Sequence, residues 1–244
     1  VPSNAIPTGG WSDSLNVRAR NGSVEGVNSF ANDILLHYSD ANIANGEAKA
    51  ICQFTPAGGT NLIIAYIVKG VNGNGSVILY NSAGANNAAK WNNITNATSS
   101  QVFTFDDAHP PQIFVFNELL IVNPATDAPP QFTTASVAAG SLAQLPNWIN
   151  DSTSAPIICR ILKPYNQRLI AMNIKEERGN ADDVFQPIDL LFSSHITTIS
   201  SLAAASWTAS TTNTAGDAFL NATPGKILDG GQLGEHFIAY KTDS

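Results

Sequence analysis

The chain reads as an all-β protein, a β-propeller of repeated antiparallel blades forming an arc of a larger propeller. Three observations lead there. Gly, Pro, Asn, Ser and Thr break the sequence at short intervals, with 18 Gly and 13 Pro in 244 residues, which leaves little room for long helices. Between the breaks lie runs rich in Val, Ile, Leu and Phe, namely Leu62–Val68, Val77–Tyr80, Ile113–Phe116 and Leu119–Val122, each of strand length. One six-residue device also recurs four times, starting at Gly59, Asn117, Asn166 and Gly234: Gly-Thr-Asn-Leu-Ile-Ile, Asn-Glu-Leu-Leu-Ile-Val, Asn-Gln-Arg-Leu-Ile-Ala and Gly-Glu-His-Phe-Ile-Ala. Its first position is always Gly or Asn, which best tolerate a left-handed turn, and its last three form an apolar strand expected to be buried on both faces. The copies lie 58, 49 and 68 residues apart, intervals suited to blades of about four strands and roughly 40 to 50 residues plus loops.

In chain order, Asn21-Gly22 between Asn16–Arg20 and Ser23–Val27 predicts an N-terminal hairpin, because Asn-Gly accepts the positive φ of a type I′ turn. Asn72-Gly73-Asn74-Gly75 separates Ile63–Lys69 from Ser76–Tyr80 and predicts a second hairpin. Ala50–Phe54, Gln112–Phe116, Ile157–Leu162 and Lys226–Leu228 precede the four repeat turns, so each copy is expected to be a hairpin near the centre of a small sheet. Blades are placed near residues 50–82, 112–134, 157–194 and 226–244, closed by the hairpin 16–27. Short helices are expected only at Ser201–Ser206 and Ala138–Leu145. A four-bladed ring would need 16–27 to supply outer strands to the last copy, after whose inner strand only Tyr240–Ser244 remain. That is cramped, and further blades or inserted domains are expected outside these residues.

Composition narrows the function classes. Twelve Lys and Arg against 19 Asp and Glu give a net charge of −7, which argues against a dedicated nucleic-acid reader. An apolar content of 43% is too high for disorder. The longest apolar stretch, Leu62–Val68, is seven residues, far short of the roughly 18 to 20 that span a bilayer, so no membrane segment is expected. The start, Val1-Pro2-Ser3-Asn4, has neither the basic nor the apolar region of a secretory signal, and with Met172 the single methionine, at least an initiator is expected to precede Val1.

Residues able to carry chemistry are few. Cys52 and Cys159 each precede a repeat turn by seven residues, so they are expected at equivalent places in different blades, as buried free thiols rather than a disulfide. His37, His109, His195 and His236 show no metal-ligand spacing, and no metal or cofactor is expected. His109, before Pro110-Pro111, and His236, in a repeat turn, read as loop or packing residues. Asp106-Asp107, Glu176-Glu177 and Asp182-Asp183 are doublets, and adjacent strand residues point to opposite faces, so none alone makes an acid–base pair. The segment 175–183 reads as a solvated polar loop, with a subunit contact or a cation site as lesser readings. No G-x-S-x-G elbow, P-loop or G-x-G-x-x-G occurs. Asn93, Asn96, Asn150 and Asn221 head chance glycosylation sequons, and Trp11, Trp91, Trp148 and Trp207 are expected to anchor packing rather than stack on sugars.

The opening Gly9–Gly22 (GGWSDSLNVRARNG) resembles that of tail nozzle proteins of short-tailed bacteriophages, also called tail tubular protein B. Similar to that family, in order, are Leu120–Asn123 with Pro129–Phe132, Cys159-Arg160-Ile161, Asn166–Asn173, Trp207, Asn213–Asp217, Ile227–Gly231 and Phe237–Ser244. Leu191-Phe192-Ser193-Ser194 departs from it, since the family commonly has a Trp-Ser pair there, and nozzle proteins are considerably longer than 244 residues. The resemblance implies a propeller platform in the virion tail, assembled in the host cytoplasm as a homo-hexamer under an adaptor ring, with tail fibres as further partners. It would close and then conduct the channel for viral DNA, with no catalytic residues. Low charge fits this, because a wall poor in Lys and Arg does not hold passing phosphates. The rival readings are a glycan-acting propeller enzyme, whose sialidase-type S-x-D-x-G-x-x-W turn is missing, and a monomeric lectin-like module.

Overall fold

The computed structural model describes residues 17–20, 23–26, 47–56, 61–68, 74–82, 91–95, 103–133, 142–149, 156–176, 184–197, 201, 207 and 209–242. These are almost wholly strand and turn, in antiparallel sheets, and none of the sheets closes on itself. The N-terminal hairpin forms as expected, β1 (Val17–Arg20) with β2 (Ser23–Gly26), the turn bounded by Arg20↔Ser23. It is a two-stranded sheet of its own, with no ladder to the fourth repeat hairpin among the described residues.

Sheet 1 runs β3 (Glu47–Phe54), β4 (Leu62–Val68), β5 (Asn74–Ser82), β6 (Trp91–Asn93), with β7 (Phe103–Thr104) also on β5. Sheet 2 runs β8 (Gln112–Phe116), β9 (Leu119–Asn123), β10 (Gln131–Thr133), β11 (Ala143–Gln144). Sheet 3 runs β12 (Ile157–Tyr165), β13 (Arg168–Glu176), β14 (Gln186–Phe192), β15 (Gly216–Phe219). The fourth unit has two strands, β16 (Ile227–Leu233) and β17 (His236–Lys241).

Every repeat device thus joins the first two strands of a sheet. Phe116↔Leu119 and Tyr165↔Arg168 close two-residue turns in which Asn117 and Glu118 take φ of 47° and 62°, and Asn166 and Gln167 43° and 60°. That double positive φ is the type I′ geometry whose twist matches the strands it joins. Leu233↔His236 closes the fourth turn over Gly234, φ 62°. The first copy differs: seven residues separate the paired Phe54 and Leu62, Thr55 Oγ1 donates to Asn61 Oδ1 at 2.5 Å, and 57–60, with Gly59, lie outside the described residues.

That extra length corrects the cysteine expectation. Cys52 lies opposite Ile64, whereas Cys159 lies opposite Ile174, three residues further from its turn than the repeat alignment implies. Both are free thiols, but only Cys159 is buried; Cys52 is half-buried. Three further corrections apply. Asn74-Gly75 belongs to β5 rather than to the turn. Ala143-Gln144, placed in a short helix, pairs with β10 as strand β11. Lys175 and Glu176, placed in the polar loop, end β13. Of the helix expected at 201–206, only Ser201 is described, and as helix.

The second strands are what the sheets pack through. On β9, Leu120 and Val122 face sheet 1 in a core with Leu62, Ile64, Tyr66 and Phe103, while Leu119 and Ile121 join Leu162, Leu169 and Ala171 of sheet 3. On β13, Leu169 and Ala171 face sheet 2 and Ile170 and Met172 face the fourth hairpin through Ile227, with Phe237 and Ala239 against them. Alternation with period two therefore places each central strand in two cores at once, and each fully buried Leu or Ile contributes about 1.5–3 kcal/mol. The first strands β3, β8, β12 and β16 touch in that order, so the sheets are stacked in series. Burial on both faces does not extend to β17, whose Phe237, Ile238 and Ala239 are only half-buried.

Candidate functional site

Where β8, β12 and β16 come together they enclose an open cavity of about 600 Å³, whose polar lining includes His109, Gln112, Arg160, Lys163, Lys226 and Asp229. Its walls do not follow simple alternation along β12: Cys159 and Leu162 join the core with sheet 2, while Arg160, Ile161 and Lys163 line the opening.

Beneath it runs a buried polar network. Asn123, fully buried at the end of β9, donates from Nδ2 to the Cys159 carbonyl at 3.2 Å and to Gln112 Oε1 at 3.3 Å. Gln112 Oε1 also accepts the Leu162 backbone N–H at 2.7 Å. Asn123 Oδ1 accepts the Ala125 N–H at 3.4 Å, and the Cys159 thiol lies 3.8 Å from the same oxygen. Ala125 has φ 64°, a conformation costly for alanine, and its carbonyl accepts Arg160 Nη1 at 2.7 Å. The Arg160 guanidinium lies 3.8 Å from the Phe185 ring centre and 3.8 Å from Asp106 Oδ2, too far for a hydrogen bond. Asp106 instead bonds His109 Nδ1 at 2.6 Å and the Ala108 N–H at 3.0 Å, contacts that hold its carboxyl below the ordinary value. Burial pushes the Cys159 thiol well above its usual pKa, and that of Cys52 upward as well.

The other predicted residues are dispersed. Asp107 pairs with Lys49 of β3 at 3.3 Å, so the Asp106-Asp107 doublet, which lies in the turn after β7 rather than on a strand, divides between two partners. His195 and His236 are exposed. Trp148 and Trp207 meet in the core between sheets 2 and 3 with ring centres 4.0 Å apart, which bears out packing for these two. Trp91 is described only as part of β6. Trp11, His37, Glu177, Asp182 and Asp183 lie outside the described residues. Among the described residues no group of three or more His, Cys, Asp or Glu is placed to hold a metal ion, and no helix is long and apolar enough to cross a membrane.

No protein-family profile matches the chain, and no characterised protein matches it in sequence.

Two groups escaped the sequence reading. Asn173, 8% exposed, sits at a β-bulge between Met172 and Ile174 with φ 54°, lines the cavity, and has an Oδ1 without a hydrogen-bond partner. Asp189 of β14 also has an unpartnered, buried Oδ1, and its sequence signal was a charge inside the apolar run Ile188–Leu191. Burial raises its pKa to about 6, with Asp217 and Glu176 adding repulsion and the Leu190 N–H offsetting part. Between an unfolded pKa near 3.8 and this value the folded state holds a proton that the unfolded chain has lost. Stability therefore falls as pH rises through that window. Asp189→Asn is expected to raise stability at pH 8 by about 1 kcal/mol, less than full linkage because the carboxyl is part-exposed, and to leave it nearly unchanged at pH 4. Urea midpoints at the two pH values test this, and an equal gain at both would contradict it.

Proposed function

We propose that the chain is a structural subunit of a phage tail nozzle, whose stacked sheets are blades of a β-propeller forming part of the wall of a DNA conduit. The observation that carries the reading is serial stacking: a five-stranded and two four-stranded antiparallel sheets and a fourth hairpin share cores pairwise, with first strands in succession. A repeated sheet that buries both faces against its neighbours builds a wall by addition, each unit supplying one layer. The ordered likeness to nozzle proteins supports reading this wall as part of a homo-hexamer beneath an adaptor ring at the virion tail. In this reading the blade set is closed by the N-terminal hairpin, tail fibres are further partners, and no reaction is catalysed.

The electrostatics support it in part. A net charge of −7 disfavours a tight hold on DNA, and although Arg160 and Lys163 line the first strands, Asp229 lies 2.9 Å from Lys163 and Asp106 3.8 Å from Arg160. Light scattering on the purified chain is expected to give a mass near six times 25.7 kDa, with six-fold rings in electron micrographs. A 25.7 kDa species at every concentration would remove the reading in favour of a monomeric binding module.

A further inference from the structure

We propose that the face of sheet 3 beside the turn of the fourth hairpin is a binding site for a monocarboxylate carried on a ring, as a sugar acid or an aromatic acid. A second cavity, of about 360 Å³, opens there, lined by Tyr165, Asn166, Arg168, Ile170, Phe192 and His195. That volume exceeds a bare inorganic anion and lies in the usual range for small organic ligands. The strand register explains why these residues meet. Tyr165 lies opposite Arg168 and Ile170 opposite Phe192, and Arg168 and Ile170 are two positions apart on β13, so all four side chains project from one face of sheet 3. Tyr165, Ile170 and Phe192 belong to the core shared with the fourth hairpin. The Tyr165 hydroxyl donates to the Glu235 carbonyl in that hairpin's turn, and its ring meets Phe237 edge-on with centres 5.6 Å apart, which fixes this wall. The Ile196 N–H donates to the Gln167 carbonyl at 2.7 Å and so holds His195 beside the β12–β13 turn.

Arg168 is the single Lys or Arg of this lining. Its Nη1 donates to the Thr214 carbonyl at 2.6 Å, at an exposed position, which uses one of five N–H donors and cancels no charge. It makes no ion pair among the described residues, Glu235 included. The carboxylates of β14 and β15 lie on the other face of the sheet: Asp217 is opposite Leu191, Asp189 is two positions from it, and Leu191 packs against the core with sheet 2. The Arg168 guanidinium centre stands 5.5 Å from the Phe192 ring centre, and Phe192 rests on Gly216, where an added Cβ would come within 2.4 Å of its Cζ. A guanidinium fork matches a planar carboxylate with two parallel N–H···O bonds, and one fixed positive charge answers one negative charge. Tyr165, Ile170 and Phe192 give the body of the ligand apolar and aromatic surface to cover, which a ring does and a bare carboxylate does not. The site uses sheet 3 and the fourth hairpin alone, and it holds whether or not the chain assembles into hexamers.

Calorimetric titration of the whole chain with sodium glucuronate, sodium benzoate, sodium acetate, glucose and benzyl alcohol tests this. Saturable binding of at least one ring acid is expected, with clearly weaker binding of acetate, which has no ring, and of glucose and benzyl alcohol, which have no charge. Tighter binding of glucuronate assigns the ligand to sugar acids, and tighter binding of benzoate to aromatic acids; equal binding rests recognition on charge and ring alone. Arg168→Gln is expected to weaken binding about tenfold, the loss of a charge-assisted hydrogen bond. Arg168→Lys keeps the charge without the fork, is expected to weaken it roughly threefold, and serves where the glutamine variant fails to fold. Lys226→Gln removes an exposed cation outside this lining and is expected to leave binding unchanged. The proposal is overturned if neither ring acid saturates by about 20 mM, a dissociation constant beyond that being negligible binding. It is equally overturned if acetate or either neutral compound binds as well as the ring acids, if the Arg168 variants bind as the parent chain does, or if Lys226→Gln lowers binding as much as they do.

Discussion

Trp148→Ala is expected to lower the unfolding free energy by about 3–5 kcal/mol, the range for removing a large aromatic from a packed core. Trp148 is 1% exposed between sheets 2 and 3, and its ring meets Trp207 edge-on at 64° with centres 4.0 Å apart. It also ties the sheets by hydrogen bonds in both directions, its Nε1–H donating to the Ile157 carbonyl and the Ile157 N–H donating to the Trp148 carbonyl at 3.3 Å. Truncation therefore opens a cavity and leaves the buried Ile157 carbonyl without its indole partner, two costs that add. Urea denaturation followed by circular dichroism measures the loss. A cycle with Trp207→Phe should show a coupling of about 0.5–1.5 kcal/mol, as for other aromatic pairs. A loss under about 1 kcal/mol would match a surface substitution and place Trp148 outside the core.

Gly225→Ala is expected to cost about 3 kcal/mol, from a positive φ imposed on alanine and a clash with backbone that has no room to yield. Gly225 has φ 93°, and a Cβ there would stand 2.0 Å from the Thr242 carbonyl oxygen. That carbonyl belongs to the clasp between the ends of β16 and β17, in which the Thr242 N–H donates to the Lys226 carbonyl at 2.9 Å and the Lys226 N–H to Thr242 Oγ1 at 3.0 Å. Gly234→Ala supplies the control, since its φ is 62° and nothing lies within 4 Å of the added Cβ. It should cost only the left-handed penalty of about 1–2 kcal/mol. Equal losses at the two glycines would show that the Thr242 contact does not exist.

The hairpins were legible because their causes are local. Asn117 and Asn166 take the positive φ that their side chains tolerate, and the apolar runs after them, too continuous for one-sided strands, are buried on both faces. Equivalence between Cys52 and Cys159 failed because counting from the turn assumes equal loops, and the first copy spends seven residues, 55–61, where the third spends two. The strand at Ala143-Gln144 was missed because an Ala-rich neighbourhood favours helix by propensity, and the open edge of β10 outweighed that preference. Within the cavity, Arg160 and Lys163 were visible only as charges in a strand. Nothing in their spacing revealed Lys226, more than sixty residues later, as a neighbour.

By itself the sequence determined the all-β class, the turn positions and which strands are apolar on both faces, since each depends on backbone φ preference and a two-residue period acting within a few positions. Tertiary structure alone decided the pairing of Trp148 with Trp207, the unpartnered amide of Asn173 and the meeting of Arg160, Lys163 and Lys226. Those depend on how one sheet is set against the next. That setting comes from the sum of many nondirectional apolar contacts, which no short stretch of sequence encodes.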